Sequence, residues 1–327
     1  MSDDESEGLT YAEAGVDIEA SEEATKALLS AVGETDDEGY AGILDLGELE
    51  IGLTTDGVGS KLLVAEALDR FDTIGIDCIA MNVNDLVAEG LRPVGFVDYL
   101  ALEEPDEELT AAIGVGLAAG AKQADITLMG GETAILPEVI VGVDLAGAAL
   151  GIAHPGERPP GVAKVGDAIV GMPSAGIHSN GLTLARKAVT STYEYDDTFS
   201  DDPSRTVGET LLEPTRIYTE PIEVMRRFEV HACAHITGGG LRNLSRMADH
   251  RYEIDDPLPV QPVFDLIQNG GKVSDIEMYR TFNMGIGFAM AVDATDADQV
   301  AELVDGAVIG SVVEGSGVAI EGLDITE

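Results

Sequence analysis

A glycine-rich turn between a strand and a helix is the feature that most constrains this chain. Residues 53–61 read Leu-Thr-Thr-Asp-Gly-Val-Gly-Ser-Lys; they follow an alternating apolar run and precede residues 62–68, whose apolar side chains recur at helical spacing. Bare backbone N–H groups at a helix start suit a phosphate, and the Asp56 carboxylate suits a metal ion beside it. An ordinary surface turn contains the same residue types, so other motifs must decide.

Similar turns return further along the chain. Residues 174–181 place His178 among Ser, Asn and Gly between a predicted strand and a predicted helix, and residues 235–242 contain three consecutive glycines before Arg242. A glycine pair followed by Glu132 comes after a predicted strand at 126–129. Strands that alternate with helices through glycine turns predict an α/β fold. The chain contains neither GxxxxGK[ST] nor GxGxxG with a downstream acid, which excludes a P-loop and a Rossmann site.

A nearly continuous apolar segment, residues 74–90, predicts a buried helix. Asp77, Asn84 and Asp85 are separated by about two helical turns and therefore share one face. Buried acids need partners. A metal ion, a phosphate–metal complex, or hydrogen bonds to a neighbouring helix would each supply them.

The length and a Pro/Gly cluster predict two domains. The chain has 327 residues, and its densest Pro/Gly segment is residues 155–161, so we place the domains at 1–158 and 159–327. The acidic N-terminus lacks the apolar core of a signal peptide, and no run approaches the roughly 20 apolar residues of a membrane helix. The two cysteines, far apart, argue against a disulfide framework or a thiolate zinc site and are predicted to be buried.

The charge balance restricts the environment and the partners. Asp and Glu number 61 against 18 Lys and Arg, for a net charge of −43. Such an excess destabilises a compact state by self-repulsion unless salt screens it. A globular apolar content of 45% with this charge predicts a protein from a salt-rich cytoplasm. Nucleic acid is excluded as a partner, since phosphate neutralisation needs a basic surface.

Taken in order, the motifs resemble those of the phosphoribosylformylglycinamidine cyclo-ligase family, also called aminoimidazole ribonucleotide synthetases. The matching segments cover almost the whole chain: residues 10–11 with 14–18, 55–61, 72–77, 81–86, 130–134, 178–181, 214–218, 235–240 and 277–283. The Asp-Gly-Val-Gly and Asn-Asp segments are shared with ATP-using relatives. The Gly-Val-Asp-Ile, His-Ser-Asn-Gly and Met-Tyr-Arg-Thr-Phe-Asn segments are more specific to the cyclo-ligases.

The resemblance implies a two-domain α/β (α+β) fold and a homodimer whose N-terminal sheets join in a barrel, with the N-terminal domain binding ATP and metal. It implies ATP, Mg²⁺ and K⁺, and the fifth step of purine synthesis. In that reaction ATP phosphorylates the formyl oxygen of formylglycinamidine ribonucleotide. The ribose-bearing nitrogen then attacks the same carbon, phosphate leaves, and aminoimidazole ribonucleotide forms.

The resemblance also implies roles for individual residues. His178, Lys61 and Asp56 are the predicted catalytic residues, with Lys61 on the phosphate side. The predicted metal ligands are Asp56, Asp85 and Glu132. The predicted nucleotide-binding residues are Asp56, Gly57, Gly59, Lys61, Asp77, Asn84 and Asp85. The predicted substrate- and phosphate-binding residues are Ser179, Asn180, Arg216, Gly238, Gly239, Gly240, Arg280 and Asn283.

Two departures and two rivals qualify these expectations. Residues 33–42 are acidic where the family is basic and glycine-rich, and Ile177 stands where it often has proline. One rival is another ATP-using enzyme of the superfamily, such as a small-molecule kinase or an amidotransferase component. The other is a non-catalytic nucleotide-binding regulator, against which the presence of Asp56, Lys61, Asp85 and His178 argues.

Overall fold

The computed structural model describes residues 8–12, 14–15, 18–32 and 39–326, with the backbone alone for residues 18–22. Val16 and Asp17 of the N-terminal motif, and residues 33–38 of the acidic segment, lie outside the described residues. No helix in the described part of the chain is long and apolar enough to cross a membrane.

The elements alternate as the sequence predicts. The helices are α1 (Ile18–Val32), α2 (Leu62–Leu68), α3 (Ile74–Ala88), α4 (Glu107–Ala124), α5 (Leu182–Thr190), α6 (Val207–Leu211), α7 (Glu220–Met225), α8 (Pro262–Gly271), α9 (Asp275–Thr281) and α10 (Ala297–Leu303), with 3-10 segments at Gly59–Lys61 and Gly240–Met247. The strands are β1 (Gly42–Asp45), β2 (Glu50–Gly57), β3 (Arg92–Leu102), β4 (Thr127–Ile135), β5 (Val143–Ala153), β6 (Ala168–Pro173), β7 (Val230–His235), β8 (Arg251–Ile254), β9 (Ile286–Val292), β10 (Ala307–Val313), β11 (Gly317–Ile320) and β12 (Leu323–Asp324).

The first five strands form one sheet in the order β1-β2-β5-β3-β4, in which only the β3–β4 pair is parallel. One face packs on α3, which also touches α4 and β7. Alternation along β2 and β3 directs Leu53, Val97 and Tyr99 to the opposite face, where they are exposed. We call this second face the outer face.

The remaining seven strands form a second sheet in the order β12-β11-β8-β10-β6-β9-β7. A continuous apolar core joins the two units: Ile74 and Cys78 of α3 belong to the same buried cluster as Val170 of β6 and Phe288 of β9. The prediction that α3 is a buried helix is confirmed. This packing fixes the two sheets against each other along a seam that contains α3.

Some predicted element boundaries are wrong. The glycine turn expected at 130–133 is part of strand β4, which runs on past a bulge at Met129 because β3 offers a continuous parallel partner. The segment that starts at the last of the three consecutive glycines, Gly240–Met247, is a 3-10 segment. Helix α6 begins with a capping box formed by Thr206 and Glu209. Both cysteines are free and buried, as predicted.

Candidate active site

Two carboxylates from different elements meet at the seam. Asp56 lies near the end of β2 on the face that packs against α3, and Asp85 lies in the last turn of α3. Burial, followed by the charge of Asp85, raises the pKa of Asp56 to about 6, and the hydrogen bond from Gly57 N to Oδ1 at 2.7 Å opposes this rise. The two acids are therefore close enough to repel each other when both are ionised.

A third acid, Asp98, lies on the same face of the sheet. The register aligns Asp56 with Gly147 on β5, Gly147 with Asp98 on β3, and Asp98 with Gly131 on β4. Burial raises the pKa of Asp98. A Cβ on Gly131 would lie 2.4 Å from Asp98 Oδ1, so glycine at 131 is what leaves room for this carboxylate. The Gly130-Gly131 pair thus accommodates an acid inside a sheet.

The predicted metal trio does not form within one chain. Glu132 follows Gly131 on β4 and pairs with Tyr99, so strand alternation places it on the outer face, opposite to Asp56. Glu132 therefore cannot join Asp56 and Asp85 from the same chain. Sequence proximity to a glycine pair does not determine which face of a strand an acid occupies.

His235 is the partner of Asp85. Its Nδ1 lies 2.8 Å from Asp85 Oδ1, and its Nε2 lies 3.3 Å from Asn84 Nδ2. The amide of Asn84 donates at Nε2, so the ring proton is on Nδ1 and points to the carboxylate. The side chain of His235 is fully buried at the end of β7. A histidine that holds an acid in this way fixes the direction of its carboxylate.

His178 occupies a strained, buried position. Its φ is +66°, a left-handed conformation that few non-glycine residues adopt. Nε2 accepts from Ala175 N at 3.1 Å and lies 3.5 Å from Arg216 N, so the neutral ring carries its proton on Nδ1. Burial first, and then the nearby positive charges of Lys61 and Arg216, hold the pKa of His178 well below 6.5. The imidazole is therefore neutral at pH 7. Its Nδ1 is buried with no hydrogen-bond partner in the described part of the chain.

Lys61 does not face the open site. Its side chain is fully buried, and Nζ donates to Asp77 Oδ1 at 2.8 Å and to the carbonyl of Glu213 at 2.6 Å. The prediction that Lys61 binds a phosphate is therefore not supported. Asp77 and Asn84, predicted near the nucleotide, are also fully buried and hydrogen-bond to residues 215–218.

The glycine turns serve two different purposes. The turn after β2 has the predicted strand-to-helix geometry, with Gly59 at φ +68° before α2. Gly240 is required by packing, because a Cβ there would lie 2.1 Å from the carbonyl oxygen of Tyr279. Gly238 lies near Asn180: a Cβ added to Gly238 would be 3.3 Å from Asn180 Oδ1. Gly238 and Asn180 thus form one neighbourhood, as the sequence prediction of a substrate contact requires.

Other predicted substrate contacts have internal partners. Asn283 Nδ2 donates to the carbonyls of Gly176 and Ile177, and Arg280 Nε donates to the carbonyl of Ile325. Arg216 is held by Glu220 at 3.0 Å. Ser179 Oγ donates to Asp77 Oδ1 at 3.2 Å. These contacts hold the turns around the site, and Arg280 points toward the C-terminal segment.

His235 and Asp98 are the candidate residues that the sequence prediction omitted. His235 opens the His-Ile-Thr-Gly-Gly-Gly segment, in which the sequence prediction named only the glycines as site residues. Asp98 is the one acid within the largely apolar residues 94–102, and an acid in an apolar strand is the signal that would have identified it.

The acids fit a divalent cation in part. Two mutually repelling carboxylates are stabilised by a cation between them, and Mg²⁺ prefers oxygen ligands. No cluster of three or more His, Cys, Asp or Glu that could hold a metal occurs within residues 39–326 or the other described segments. Mg²⁺ is usually bound through one or two carboxylates, with waters and substrate phosphates completing its shell. Asp56 and Asp85 suit that mode.

Comparison with known proteins identifies the relatives of the chain. Residues 38–153 match the family model of the AIR synthase related protein N-terminal domain, and residues 164–322 match its C-terminal domain. The phosphoribosylformylglycinamidine cyclo-ligase of Methanosarcina acetivorans is 48% identical over 97% of this chain and 98% of its own length. The protein of that name from Pyrococcus furiosus is 44% identical over 96% and 98%.

Solved structures share the fold at lower identity. Thiamine monophosphate kinase from Aquifex aeolicus is 16% identical, with a TM-score of 0.67 over 92% of this chain and 97% of that one. The hydrogenase maturation protein HypE in complex with ATP is 19% identical, with a TM-score of 0.58 over 86% and 84%. At these identities the likeness establishes the two-domain fold alone.

Proposed function

This chain belongs to the AIR synthase family, and from that membership we propose that it is a phosphoribosylformylglycinamidine cyclo-ligase with its active site at the seam between the two sheets. The observation that carries the proposal is the near full-length identity of 44–48% to cyclo-ligases. The convergence of Asp56, Asp85 and His235 at the seam supports the place of the site. The enzyme is thus an ATP-dependent ligase of purine biosynthesis.

The reaction closes a ring by making a poor leaving group into a good one. The formyl oxygen of formylglycinamidine ribonucleotide attacks the γ-phosphorus of ATP, and ADP leaves. The ribose-bearing nitrogen then bonds to the activated carbon, the carbon–oxygen bond breaks, and phosphate departs with loss of a proton from nitrogen. Catalysis of such a phosphoryl transfer consists mainly of positioning and charge neutralisation.

In our proposal Asp56 and Asp85 hold Mg²⁺, which neutralises phosphate charge when bound. His235 Nδ1–H fixes the direction of the Asp85 carboxylate through its hydrogen bond to Oδ1. Gly57 and Gly59 remain the predicted nucleotide contacts. Asp98 is a further acid on the same face of the sheet.

The remaining roles concern the substrate. Asn180 with Gly238, Gly239 and Gly240 is the proposed contact for the ribonucleotide. The predicted role of His178, to hydrogen-bond the formyl oxygen or to move a proton, stays a prediction. Its ring is neutral and carries its one N–H proton on Nδ1. K⁺ stays an implication of the family, with no residue assigned to it.

We propose that the chain is a homodimer joined through the outer face of the first sheet. Leu53, Val97 and Tyr99 expose apolar surface there, and β4 is an exposed edge strand. Such a face is a liability in a monomer unless a partner covers it. In a dimer of this kind Glu132 lies between the two sheets, and its metal role stays a prediction.

Two further proposals follow from composition and from the connection between the sheets. A net charge of −43 supports a salt-adapted protein of the cytoplasm. The domain division at 158/159 falls in the connection between β5 and β6, which separates the two sheets. The superfamily rivals, kinases and amidotransferase components, have less support, because the similar solved kinase structures are 15–22% identical.

The test is purified protein in molar KCl with ATP, Mg²⁺ and formylglycinamidine ribonucleotide. We expect ADP release that depends on the ribonucleotide, with aminoimidazole ribonucleotide formed in equal amount. Thiamine monophosphate serves as the alternative acceptor. A folded protein that releases no ADP with the ribonucleotide contradicts the proposal, and phosphorylation of thiamine monophosphate instead supports the kinase rival.

A further inference from the structure

Lys61 and Asp77 form a fully buried ion pair at the seam. Lys61 Nζ lies 2.8 Å from Asp77 Oδ1 and 2.6 Å from the carbonyl of Glu213, and both side chains are 0% exposed. Removing two charges from water costs free energy that their attraction often fails to repay. A hydrophobic pair of similar volume would fill the space at no such cost, so the pair needs a role beyond filling it.

Asp77 Oδ1 is also an acceptor for two separate segments of the second unit. Thr215 donates to it twice, from the backbone N at 2.8 Å and from Oγ1 at 2.6 Å. Ser179 Oγ donates to it at 3.2 Å and lies 3.2 Å from Thr215 Oγ1. A single carboxylate oxygen on α3 therefore holds both segments against the first sheet, and Lys61 supplies the balancing charge.

The segment that begins at Thr215 reaches the candidate site. The carbonyl of Arg216 accepts from Asn84 Nδ2 at 2.9 Å, and Tyr218 N donates to Asn84 Oδ1 at 2.9 Å. Asn84 Nδ2 lies 3.3 Å from His235 Nε2, and His235 holds Asp85. Helix α3 thus hydrogen-bonds this segment at Asp77 and again, two turns later, at Asn84.

The second segment held by Asp77 carries His178. Ser179 follows His178 directly, and Arg216 N approaches His178 Nε2 at 3.5 Å. The position of the His178 ring therefore depends on both segments that share Asp77 Oδ1. Lys61 and Asp77 touch no open space, so their influence on chemistry runs through these neighbours.

We propose that Lys61 and Asp77 are positioning residues for the reaction: together they lock the turn at 178–181 and the segment at 215–218 of the second unit onto α3. The proposal rests on the proposed function for its kinetic consequence. It replaces a phosphate-binding role for Lys61 with a structural charge that pairs with Asp77, whose Oδ1 accepts four hydrogen bonds.

The test compares four variants: Asp77→Asn, Lys61→Met, the double variant Lys61→Met/Asp77→Leu, and the surface control Lys122→Met. Asp77→Asn keeps an acceptor oxygen but leaves Lys61 buried without its counter-charge, so we expect a lower melting temperature and a lower kcat than wild type. The double variant removes both charges at similar volume and is expected to fold, yet to lose at least about tenfold in kcat with KM for ATP nearly unchanged. Lys122 lies exposed on α4, and its variant is expected to match wild type.

A second measurement does not depend on turnover. Hydrogen exchange of the amides at 213–218 is expected to be at least about tenfold faster in the double variant than in wild type or Lys122→Met. If wild type has no cyclo-ligase activity, the proposed function is contradicted. Hydrogen exchange still tests whether Lys61 and Asp77 hold the two segments on α3.

Three outcomes overturn the inference. The first is a Lys61→Met variant with unchanged melting temperature and kcat but a raised KM for ATP, which identifies a phosphate ligand. The second is a double variant with wild-type kcat, which shows that the pair only fills space. The third is exchange at 213–218 that the double variant leaves unchanged.

Discussion

At the scale of single residues, the site places an acid where its charge is costly. The pKa of Asp56 is raised to about 6 by burial and by Asp85, so ionised Asp56 destabilises the free protein at neutral pH. From the value of 3.8 the rise corresponds to at most about 3 kcal/mol at about 1.4 kcal/mol per pKa unit. A cation between the two acids would relieve this cost.

Asp56→Asn is therefore expected to stabilise the protein and abolish turnover. For a carboxyl whose folded pKa is raised, the penalty is absent below the unfolded pKa and is fully present above the folded one. Unfolding in denaturant at pH 7.5 without Mg²⁺ should show a gain of about 1–3 kcal/mol, which shrinks as the pH falls from 6 toward 4.

Two comparisons control this prediction. Asp256 is exposed on a loop, and Asp256→Asn should leave both stability and turnover near wild type. Mg²⁺ should raise the melting temperature of wild type more than that of Asp56→Asn, because ligand binding stabilises the state that binds it. An Asp56→Asn variant that is less stable than wild type at pH 7.5 would contradict the assignment of a repelled acid.

At the scale of elements, close packing of α3 on α4 holds the acid-bearing helix in place. A Cβ on Gly75 would lie 2.1 Å from Leu117 N and 2.7 Å from the Ile113 carbonyl oxygen, both backbone atoms that cannot move alone. Gly114, in the interior of α4, has nothing within 4 Å of an added Cβ. The two positions are a matched pair of helical glycines.

Gly75→Ala is expected to destabilise the protein by about 1–3 kcal/mol or more, because the helices must separate. Gly114→Ala is expected to stabilise it by about 0.5–1 kcal/mol, since alanine loses less backbone entropy in a helix. Denaturant unfolding in molar KCl measures both. Equal effects of the two substitutions would show that α3 and α4 do not pack as closely as described.

The first sheet leads to a prediction about assembly. Val97 on β3 is 39% exposed on the outer face, and Val115 on α4 is 61% exposed elsewhere. Val97→Glu should weaken the dimer at least tenfold, by roughly 1.4 kcal/mol or more, because a buried interface would contain an unpaired charge. Val115→Glu should leave it intact. Sedimentation equilibrium distinguishes them, and a wild type that is monomeric at micromolar concentration would contradict the proposed interface.

At the scale of the whole molecule, charge dominates. With a net charge of −43, repulsion among surface acids opposes folding, and the Debye length falls from about 10 Å at 0.1 M salt to about 3 Å at 1 M. Raising KCl from 0.1 to 2 M should raise the melting temperature by at least about 5 °C. NaCl at equal ionic strength should act similarly if screening is the cause. A melting temperature that is flat or falls over this range would contradict it.

The sequence by itself determined what depends on neighbours along the chain. Apolar periodicity predicted α3 as a buried helix and predicted the alternation of strands and helices. The glycine turn after β2 has the expected geometry. The family follows from motif order, and the matching domain models and curated relatives confirm it. These features need no knowledge of which distant residues meet.

Only the tertiary structure decided which side chains face one another. Lys61 and Asp85 are both predicted nucleotide-binding residues, yet one is buried against Asp77 and the other is held by His235, 150 residues away. Glu132, a predicted metal ligand, lies on the face of the sheet opposite to Asp56, because one residue along a strand reverses the direction of a side chain. Ion pairs, ring tautomers and strand faces depend on contacts between distant segments, and local pattern carries no information about those contacts.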